Sequence, residues 1–128
     1  MNLLLDTHIL LWAAYSPHRL SQRARQLLED AENRLVFSAA SIWEVAIKTS
    51  LGKPGFSVAP AVLRRGLVES GYFELDVTSA HAAAVVDVSP SHTDPFDRIL
   101  VAQARVEGLT LLTSDLRLVA YGAEIMLV

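Results

Sequence analysis

The sequence predicts a single α/β domain, residues 1–128, built on a parallel sheet with helices on both faces. Short apolar runs alternate along the chain with longer segments of helical periodicity, as in successive βα units. The apolar runs are continuous, as in Leu3-Leu4-Leu5, which is typical of parallel strands buried on both sides. Hydrophobic residues make up 52% of the chain, which is enough for one well-buried core.

Cap and turn residues bound each predicted element. Strands are predicted at residues 2–5, 34–37, 73–77, 110–113 and 124–128. Helices are predicted at residues 7–15, after Ser21, from Ser38 to about 51, and at 60–70, 79–86, 94–107 and 116–120. A serine or aspartate at a helix start accepts a hydrogen bond from a backbone N–H that the helix leaves unpaired. Gly52, Gly71 and Gly108 suit the positions just after a helix because glycine readily adopts a positive φ.

Composition excludes several classes of function. The chain has no cysteine, so disulfides, thiolate zinc sites and a cysteine nucleophile are excluded. The first residues show neither a basic region nor a long apolar span, which indicates a soluble, cytoplasmic protein. The net charge of −3 argues against binding nucleic acid by bulk positive charge. It is compatible with an enzyme that acts on nucleic acid through metal ions.

Four acidic residues are candidates for a site. Asp6 and Asp115 follow predicted strands, whereas Glu44 and Asp97 lie in predicted helices among apolar neighbours. Because ligands of parallel sheets bind beyond the carboxyl ends of the strands, we expect these side chains at one rim. Carboxylates gathered there would repel one another unless a cation neutralised them. Oxygen ligation without cysteine, and without histidine at a ligand-like spacing, suits Mg²⁺ or Mn²⁺, either of which can bind phosphate and activate water.

Each of these acids also has a purely structural interpretation. The alternatives are a helix cap for Asp6, a turn for Asp115, an i,i+4 ion pair with Lys48 for Glu44 and the helix dipole for Asp97. The neighbouring Asp94, which precedes a proline, is interpreted as the N-cap of its helix rather than as a metal ligand. Taken together on a parallel sheet, the four acids favour the metal site.

Four segments, in this order and with this spacing, carry a family pattern. They are LLDTHILLW at residues 4–12, SAASIWEVAIK at 38–48, HTDPFDRILVAQA at 92–104 and LTSD at 112–115. Over essentially the whole chain they resemble the PIN-domain ribonucleases of the VapC toxin type. The resemblance implies a PIN-like three-layer α/β/α sandwich around a mainly parallel five-stranded sheet.

The resemblance also implies a function and a set of site residues. It implies an Mg²⁺- or Mn²⁺-dependent endoribonuclease toxin that cleaves RNA phosphodiesters with metal-activated water and is inhibited by a VapB-like antitoxin. The catalytic and metal-binding quartet would be Asp6, Glu44, Asp97 and Asp115, supported by Thr113, Ser41 and, as a weaker match, Thr7. Lys48 and Arg98 each neighbour a proposed ligand, and two interpretations fit them: they contact RNA phosphates, or they offset the negative charge of the acids.

The remaining notable residues are assigned to packing. The histidines His8, His81 and His92, and the aromatic residues Trp12, Tyr15, Trp43 and Phe96, are predicted as packing, capping or interface residues. Residues 53–62 fit two interpretations, a lip over the pocket or part of an antitoxin groove.

A homodimer is expected, since a mean hydropathy of +0.33 leaves more apolar surface than one small domain buries. The resemblance points the same way.

Other functions fit the sequence less well. A phosphotransferase of the haloacid dehalogenase type needs a second aspartate at the position of His8, and a receiver-like signalling domain leaves Glu44 and Asp97 unexplained. The serious alternative is a PIN-like module that binds RNA or a protein partner without cleaving RNA. The complete acidic quartet argues against it.

Overall fold

One parallel sheet organises the molecule, which a computed structural model describes over residues 1–88 and 94–128. The strands are β1 (Asn2–Leu5), β2 (Arg34–Ser38), β3 (Phe73–Leu75), β4 (Thr110–Thr113) and β5 (Ile125–Leu127). The helices are α1 (Thr7–Tyr15), α2 (Gln22–Glu29), α3 (Ala39–Ser50), α4 (Pro60–Glu69), α5 (Ser79–Ala84) and α6 (Pro95–Glu107). Short 3-10 turns cover Pro17–Arg19, Val85–Asp87 and Leu116–Tyr121.

The order of the strands places a crevice beside the central strand. The sheet runs β3-β2-β1-β4-β5, and every neighbouring pair is parallel. From β1 the chain moves outward to β2 and β3, and it then crosses to the other side of β1 to form β4. The connections on the two sides therefore diverge between β1 and β4. In parallel sheets this switch point, at the carboxyl ends of the strands, is where ligands bind.

Helices cover both faces of the sheet, as the continuous apolar strands predict. On one face, Leu3 and Leu5 share a core cluster with Ile9 of α1 and Leu63 of α4. On the other face, Leu4 packs in a second cluster with residues of α6 that include Leu100 and Val101. All three leucines of β1 are 0% exposed. The predicted three-layer α/β/α architecture is confirmed.

The predicted helix caps are present. Ser21 accepts a hydrogen bond from the N–H of Ala24, and Ser38 accepts one from the N–H of Ala40. Asp94 caps α6 by accepting from the N–H of Phe96. Gly108, at φ +67°, ends α6 in the left-handed conformation. These local signals therefore set the start and end of the helix that carries Asp97.

Some predicted boundaries are wrong by one or two residues. Strand β3 ends at Leu75, not at 77, because its pairing partner β2 ends at Ser38 and leaves residues beyond Leu75 without a neighbour. The predicted helix at 79–86 ends at Ala84 and tightens into a 3-10 turn, and the predicted helix at 116–120 is also a 3-10 turn. The last strand is Ile125–Leu127 rather than 124–128.

Two further expectations concern residues 89–92 and the absence of a membrane span. The predicted break at residues 89–91, together with His92, lies outside the described residues. Within the described ranges, no helix is both long enough and apolar enough to cross a membrane.

Candidate active site

Asp6 lies at the point where β1 meets β4. Its backbone N–H donates to the carbonyl of Leu112 at 3.0 Å, which extends the ladder between the two strands by one bond. Its carboxylate accepts a hydrogen bond from the N–H of Ile9 at 2.9 Å and so caps α1. The other carboxylate oxygen accepts from the hydroxyl of Thr113, the last residue of β4. The sheet register therefore fixes Asp6 from three sides.

Burial makes the charge of Asp6 costly. The residue is 5% exposed, and loss of solvent raises the pKa of its carboxyl from 3.8 to about 6. The hydrogen bonds from Thr113 and Ile9 lower this pKa in part, while the negative charge of Asp97 raises it. A cation held beside Asp6 would favour the ionised form for the same electrostatic reason.

Glu44 is held inside α3 by a short chain of polar contacts. It is 3% exposed, yet each carboxylate oxygen is paired. The hydroxyl of Thr7 donates to Oε1 at 2.6 Å, and Nζ of Lys48 lies 2.5 Å from Oε2. The hydroxyl oxygens of Ser41 and Thr7 are 3.0 Å apart, so Ser41 can donate to Thr7 while Thr7 donates to Glu44. Both supporting residues therefore orient the glutamate.

Asp115 is tied to Asp6 through one hydroxyl. The backbone N–H of Asp115 donates to Oγ1 of Thr113 at 3.0 Å, and the same hydroxyl donates to Asp6. The carboxylate of Asp115 caps the following 3-10 turn through the N–H of Arg117 at 3.0 Å. It also accepts from the guanidinium of Arg117, with Nη2 and Oδ2 2.8 Å apart. Thr113 thus sets the spacing between two of the acids.

A small cavity of about 90 Å³ brings the quartet together. Its lining comprises the four predicted acids Asp6, Glu44, Asp97 and Asp115, with Thr7, His8, Lys48, Asp94, Ser114 and Arg117. Across residues 1–88 and 94–128, no group of three or more His, Asp or Glu side chains is already arranged to hold a metal ion. Instead, Lys48 and Arg117 each form an ion pair with one carboxylate of the quartet.

The structural interpretations of the acids are realised as well. Asp6 is a helix cap, Glu44 forms the i,i+4 ion pair with Lys48, and Asp97 lies in the first turn of α6. These roles are compatible with a place in the cavity, because all three residues line it while they make these contacts. Capping therefore positions these side chains.

Two basic residues differ from the sequence-based expectation. Arg98 does not line the cavity, because its guanidinium donates to the carbonyls of Val85 and Val88 at 3.1 and 3.2 Å. Its contact with RNA stays a prediction. Arg117, which sequence reasoning missed, does line the cavity. Its position two residues after Asp115, at the start of a turn, was the available signal.

The fold and the acid-lined crevice define a class of protein that a family comparison identifies. The model of the PIN domain family matches residues 3–124. The chain therefore belongs to the PIN domain family, and the predicted resemblance is confirmed.

A curated relative makes the relationship more specific. Ribonuclease VapC22 of Mycobacterium tuberculosis is 32% identical to this chain over 117 residues, which cover 91% of the chain and 89% of the relative. Solved structures with the same fold include VapBC2 from Rickettsia felis bound to a DNA fragment from its promoter. That structure has a TM-score of 0.71 and 16% identity, with coverage of 100% and 98%. A toxin–antitoxin complex from Klebsiella pneumoniae has a TM-score of 0.61 and 19% identity, with coverage of 96% and 94%.

Proposed function

We propose that the protein is a VapC-type toxin, an endoribonuclease that depends on Mg²⁺ or Mn²⁺ and cleaves RNA phosphodiester bonds by hydrolysis. The observation that carries the proposal is the cavity in which Asp6, Glu44, Asp97 and Asp115 meet at the carboxyl ends of the strands. The name of the 32% identical relative, a ribonuclease, supports the reaction class.

The residues of the cavity suit a hard divalent cation. Carboxylate oxygens are the ligands that Mg²⁺ and Mn²⁺ prefer, and the lining offers no sulfur ligand. Burial raises the pKa of Asp6 to about 6, and a bound cation would favour its ionised form. Asp6, Glu44 and Asp97 would hold the ion directly or through water, and Asp115 would complete the set or hold a second ion. When bound, such a cation lowers the pKa of water and stabilises charge on phosphate oxygens.

The remaining side chains of the site orient the carboxylates and neutralise their charge. Thr113 holds the carboxylate of Asp6 toward the cavity, and Thr7 does the same for Glu44. Lys48 and Arg117 balance the acids in the absence of a cation. A cation that shares the carboxylate oxygens would weaken both ion pairs. The two basic groups would then be placed to contact the oxygens of an RNA phosphate beside the cavity.

A cleavage assay tests the proposal. Labelled RNA should be cut with Mn²⁺ or Mg²⁺ and remain intact with a chelator. Asp6→Asn should reduce cleavage to the level seen with the chelator while the fold is retained. Glu29→Gln is the matched control, since Glu29 lies in α2 outside the cavity lining, and it should cleave like the wild type. Full metal-dependent cleavage by Asp6→Asn would overturn the assignment.

The alternative function predicts a different result in the same assay. A PIN-like module that binds RNA or a protein without cleaving would leave RNA intact under every metal condition. It would still retain labelled RNA or a partner in a binding assay. The complete set of four acids in one cavity favours the enzyme.

The proposed toxin role requires an inhibitor. Structures that share this fold include toxin–antitoxin complexes, so we propose a small VapB-like antitoxin as the protein partner. Expression of the chain alone should arrest growth of the host cell. Asp6→Asn, or co-expression of the product of a short neighbouring gene, should relieve the arrest. Relief by the neighbouring gene without a stable complex would contradict direct inhibition.

A further inference from the structure

A row of aromatic side chains with a cation at each end leads away from the acidic cavity. Nζ of Lys48, which pairs with Glu44, lies 5.1 Å from the ring centroid of Phe56. The Phe56 ring meets the ring of His8 edge-on, with centroids 5.9 Å apart. His8 is 6.1 Å from Trp12, and the guanidinium of Arg19 lies 5.3 Å from the centre of the Trp12 ring. The row therefore begins at Lys48, which pairs with a proposed metal ligand, and ends at an arginine on the surface.

The outer half of this row lines a second, larger cavity of about 550 Å³. We call it the aromatic groove, and its walls include His8, Trp12, Tyr15, Arg19, Gly55 and Ser57. His8 lines the acidic cavity as well, so the two spaces adjoin at that residue. Tyr15 is 49% exposed, and Arg19 is exposed too. The groove is therefore open to solvent and borders the proposed site of cleavage at His8.

We propose that the aromatic groove binds an unpaired nucleotide of the RNA strand next to the phosphodiester that is cleaved. The groove combines the two features by which proteins hold single-stranded nucleic acid: aromatic rings on which a base stacks, and cations that meet the backbone. The rings are Trp12 and Tyr15, with His8 at the junction. The cation in the groove is Arg19, and Lys48 lies in the adjoining acidic cavity. This inference rests on the proposed function, which places the cleaved phosphodiester at the acidic cavity.

The chemistry of the groove favours single-stranded RNA over a paired duplex. A base can stack on Trp12 or on the Arg19 guanidinium only when its own face is exposed, which pairing and stacking within a helix prevent. The overall charge of −3 offers no general attraction for RNA, so a local contact must supply binding next to four carboxylates. The groove supplies this contact beside the acidic cavity.

Tryptophan fluorescence gives a direct test. The chain has two tryptophans, so Trp43→Phe leaves Trp12 as the sole reporter. A short oligoadenylate, added with a chelator so that no cleavage occurs, should quench the Trp12 emission. The matched duplex RNA should quench much less at the same concentration. Unchanged emission with the oligoadenylate would overturn the proposal.

Steady-state cleavage gives a second, independent readout. Trp12→Leu keeps an apolar side chain but removes the stacking ring, and it should raise KM about 5- to 100-fold with a smaller change in kcat. Arg19→Gln should raise KM in the same direction. The matched controls are Phe73→Leu and Arg34→Gln, which alter a second arginine–aromatic pair, 4.1 Å apart. That pair lies at the amino ends of β2 and β3, opposite the cavity, and these variants should retain the wild-type KM.

The outcomes separate this inference from the proposed function. Quenching without any RNA cleavage would refute the nuclease and leave the nucleotide site standing. Metal-dependent cleavage with an unchanged KM in Trp12→Leu and Arg19→Gln would refute the nucleotide site alone. If the groove instead holds a segment of a protein inhibitor, these variants would weaken inhibition and leave RNA binding intact, which also overturns the inference. Melting curves of each variant verify that the fold is retained.

Discussion

At the scale of single residues, Asp6 shows how a buried charge in a functional site lowers the stability of the folded protein. Its carboxylate is buried at the carboxyl end of the central strand β1 with hydrogen bonds from Thr113 and Ile9, yet these do not offset the loss of solvent. The pKa of Asp6 therefore rises to about 6, which means that the folded protein binds a proton more tightly than the unfolded chain does. The stabilisation from the protonated form is present at low pH and is lost as pH rises through about 6.

This sign leads to a prediction for the metal-free protein. Asp6→Asn removes the buried charge while its side-chain oxygen can still cap α1. We expect the variant to be more stable than the wild type by roughly 2–3 kcal/mol at about pH 7.5, measured by chemical denaturation with a chelator. The gain should shrink as pH falls through 6 toward 4.

A control establishes that the gain comes from Asp6. Glu29→Gln removes an acid outside the cavity and should change stability little at either pH. A pH-independent gain in Asp6→Asn would contradict the electrostatic explanation. Added Mn²⁺ should reduce the difference between wild type and Asp6→Asn if the cation binds at Asp6 as proposed.

At the scale of elements, the start of α6 separates two aspartates with different tasks. Asp94 accepts from the N–H of Phe96 as the N-cap, whereas Asp97 lies in the first turn and faces the cavity with the other acids. The cap orients the first turn, and the first turn places Asp97. The two residues should therefore respond to substitution in opposite ways.

We predict this separation from four variants. Asp94→Ala should cost about 1 kcal/mol of unfolding free energy through loss of the cap, and Asp94→Ser should recover most of it. Asp94→Asn should keep both the cap and the cleavage activity. Asp97→Asn should lose cleavage activity with little change in stability. Loss of activity in Asp94→Asn with normal stability would show that Asp94 is a ligand as well.

The contact between α5 and α6 depends on a buried histidine that the sequence assigned to packing or capping. His81 is 0% exposed and forms a capping box with Thr78, since Nδ1 accepts from the Thr78 N–H at 3.0 Å. Its Nε2 lies 2.9 Å from Glu107 at the end of α6. With Nδ1 as an acceptor, the ring carries its proton on Nε2 and donates it to Glu107.

His81→Ala should therefore destabilise the domain without touching the cavity. The lost cap and the buried space together predict a cost of about 2–3 kcal/mol, measured by denaturant unfolding. Glu107→Gln keeps an acceptor for Nε2 at a partly exposed position and should cost less than about 1 kcal/mol. Equal effects of the two variants would mean that the ion pair, rather than the cap and packing, is the source of the stability.

At the scale of the whole molecule, apolar surface remains uncovered. Trp43 is 61% exposed, Leu116 is 71% exposed and Val86 is 81% exposed. Trp43 also lines an apolar cavity of about 510 Å³ between α3, α5 and α6. Trp43 packs edge-on against Phe96, with ring centroids 5.2 Å apart, and its exposed surface is the part that an interface would cover.

Association of two chains is the corresponding prediction. Sedimentation equilibrium at micromolar concentration should give a mass of twice 14.0 kDa. Dilution should shift the mass toward the monomer, because the apolar surface drives association by mass action. A strictly monomeric species at micromolar concentration would reject the dimer.

The elements with strong local signals could be predicted from the sequence, whereas edges and junctions could not. The start of α6 follows from Asp94 and Pro95, whose chemistry acts within one turn. The end of β3 at Leu75 depends instead on where β2 ends, which is a property of a distant segment. The 3-10 turn at Leu116–Tyr121 likewise forms between two strands whose separation the local sequence does not encode.

The sequence by itself determined the parallel architecture. It also predicted that Asp6, Glu44, Asp97 and Asp115 converge, because residues that follow parallel strands meet residues of the flanking helices at one rim of the sheet. Only the tertiary structure decided which groups surround them. It links Asp6 to Asp115 through Thr113, directs Arg98 away from the cavity, and builds the aromatic groove from α1 and a distant loop. The physical reason is range: caps and apolar patterns act over a few residues, while hydrogen bonds and ring contacts between separate elements exist only after the sheet register is set.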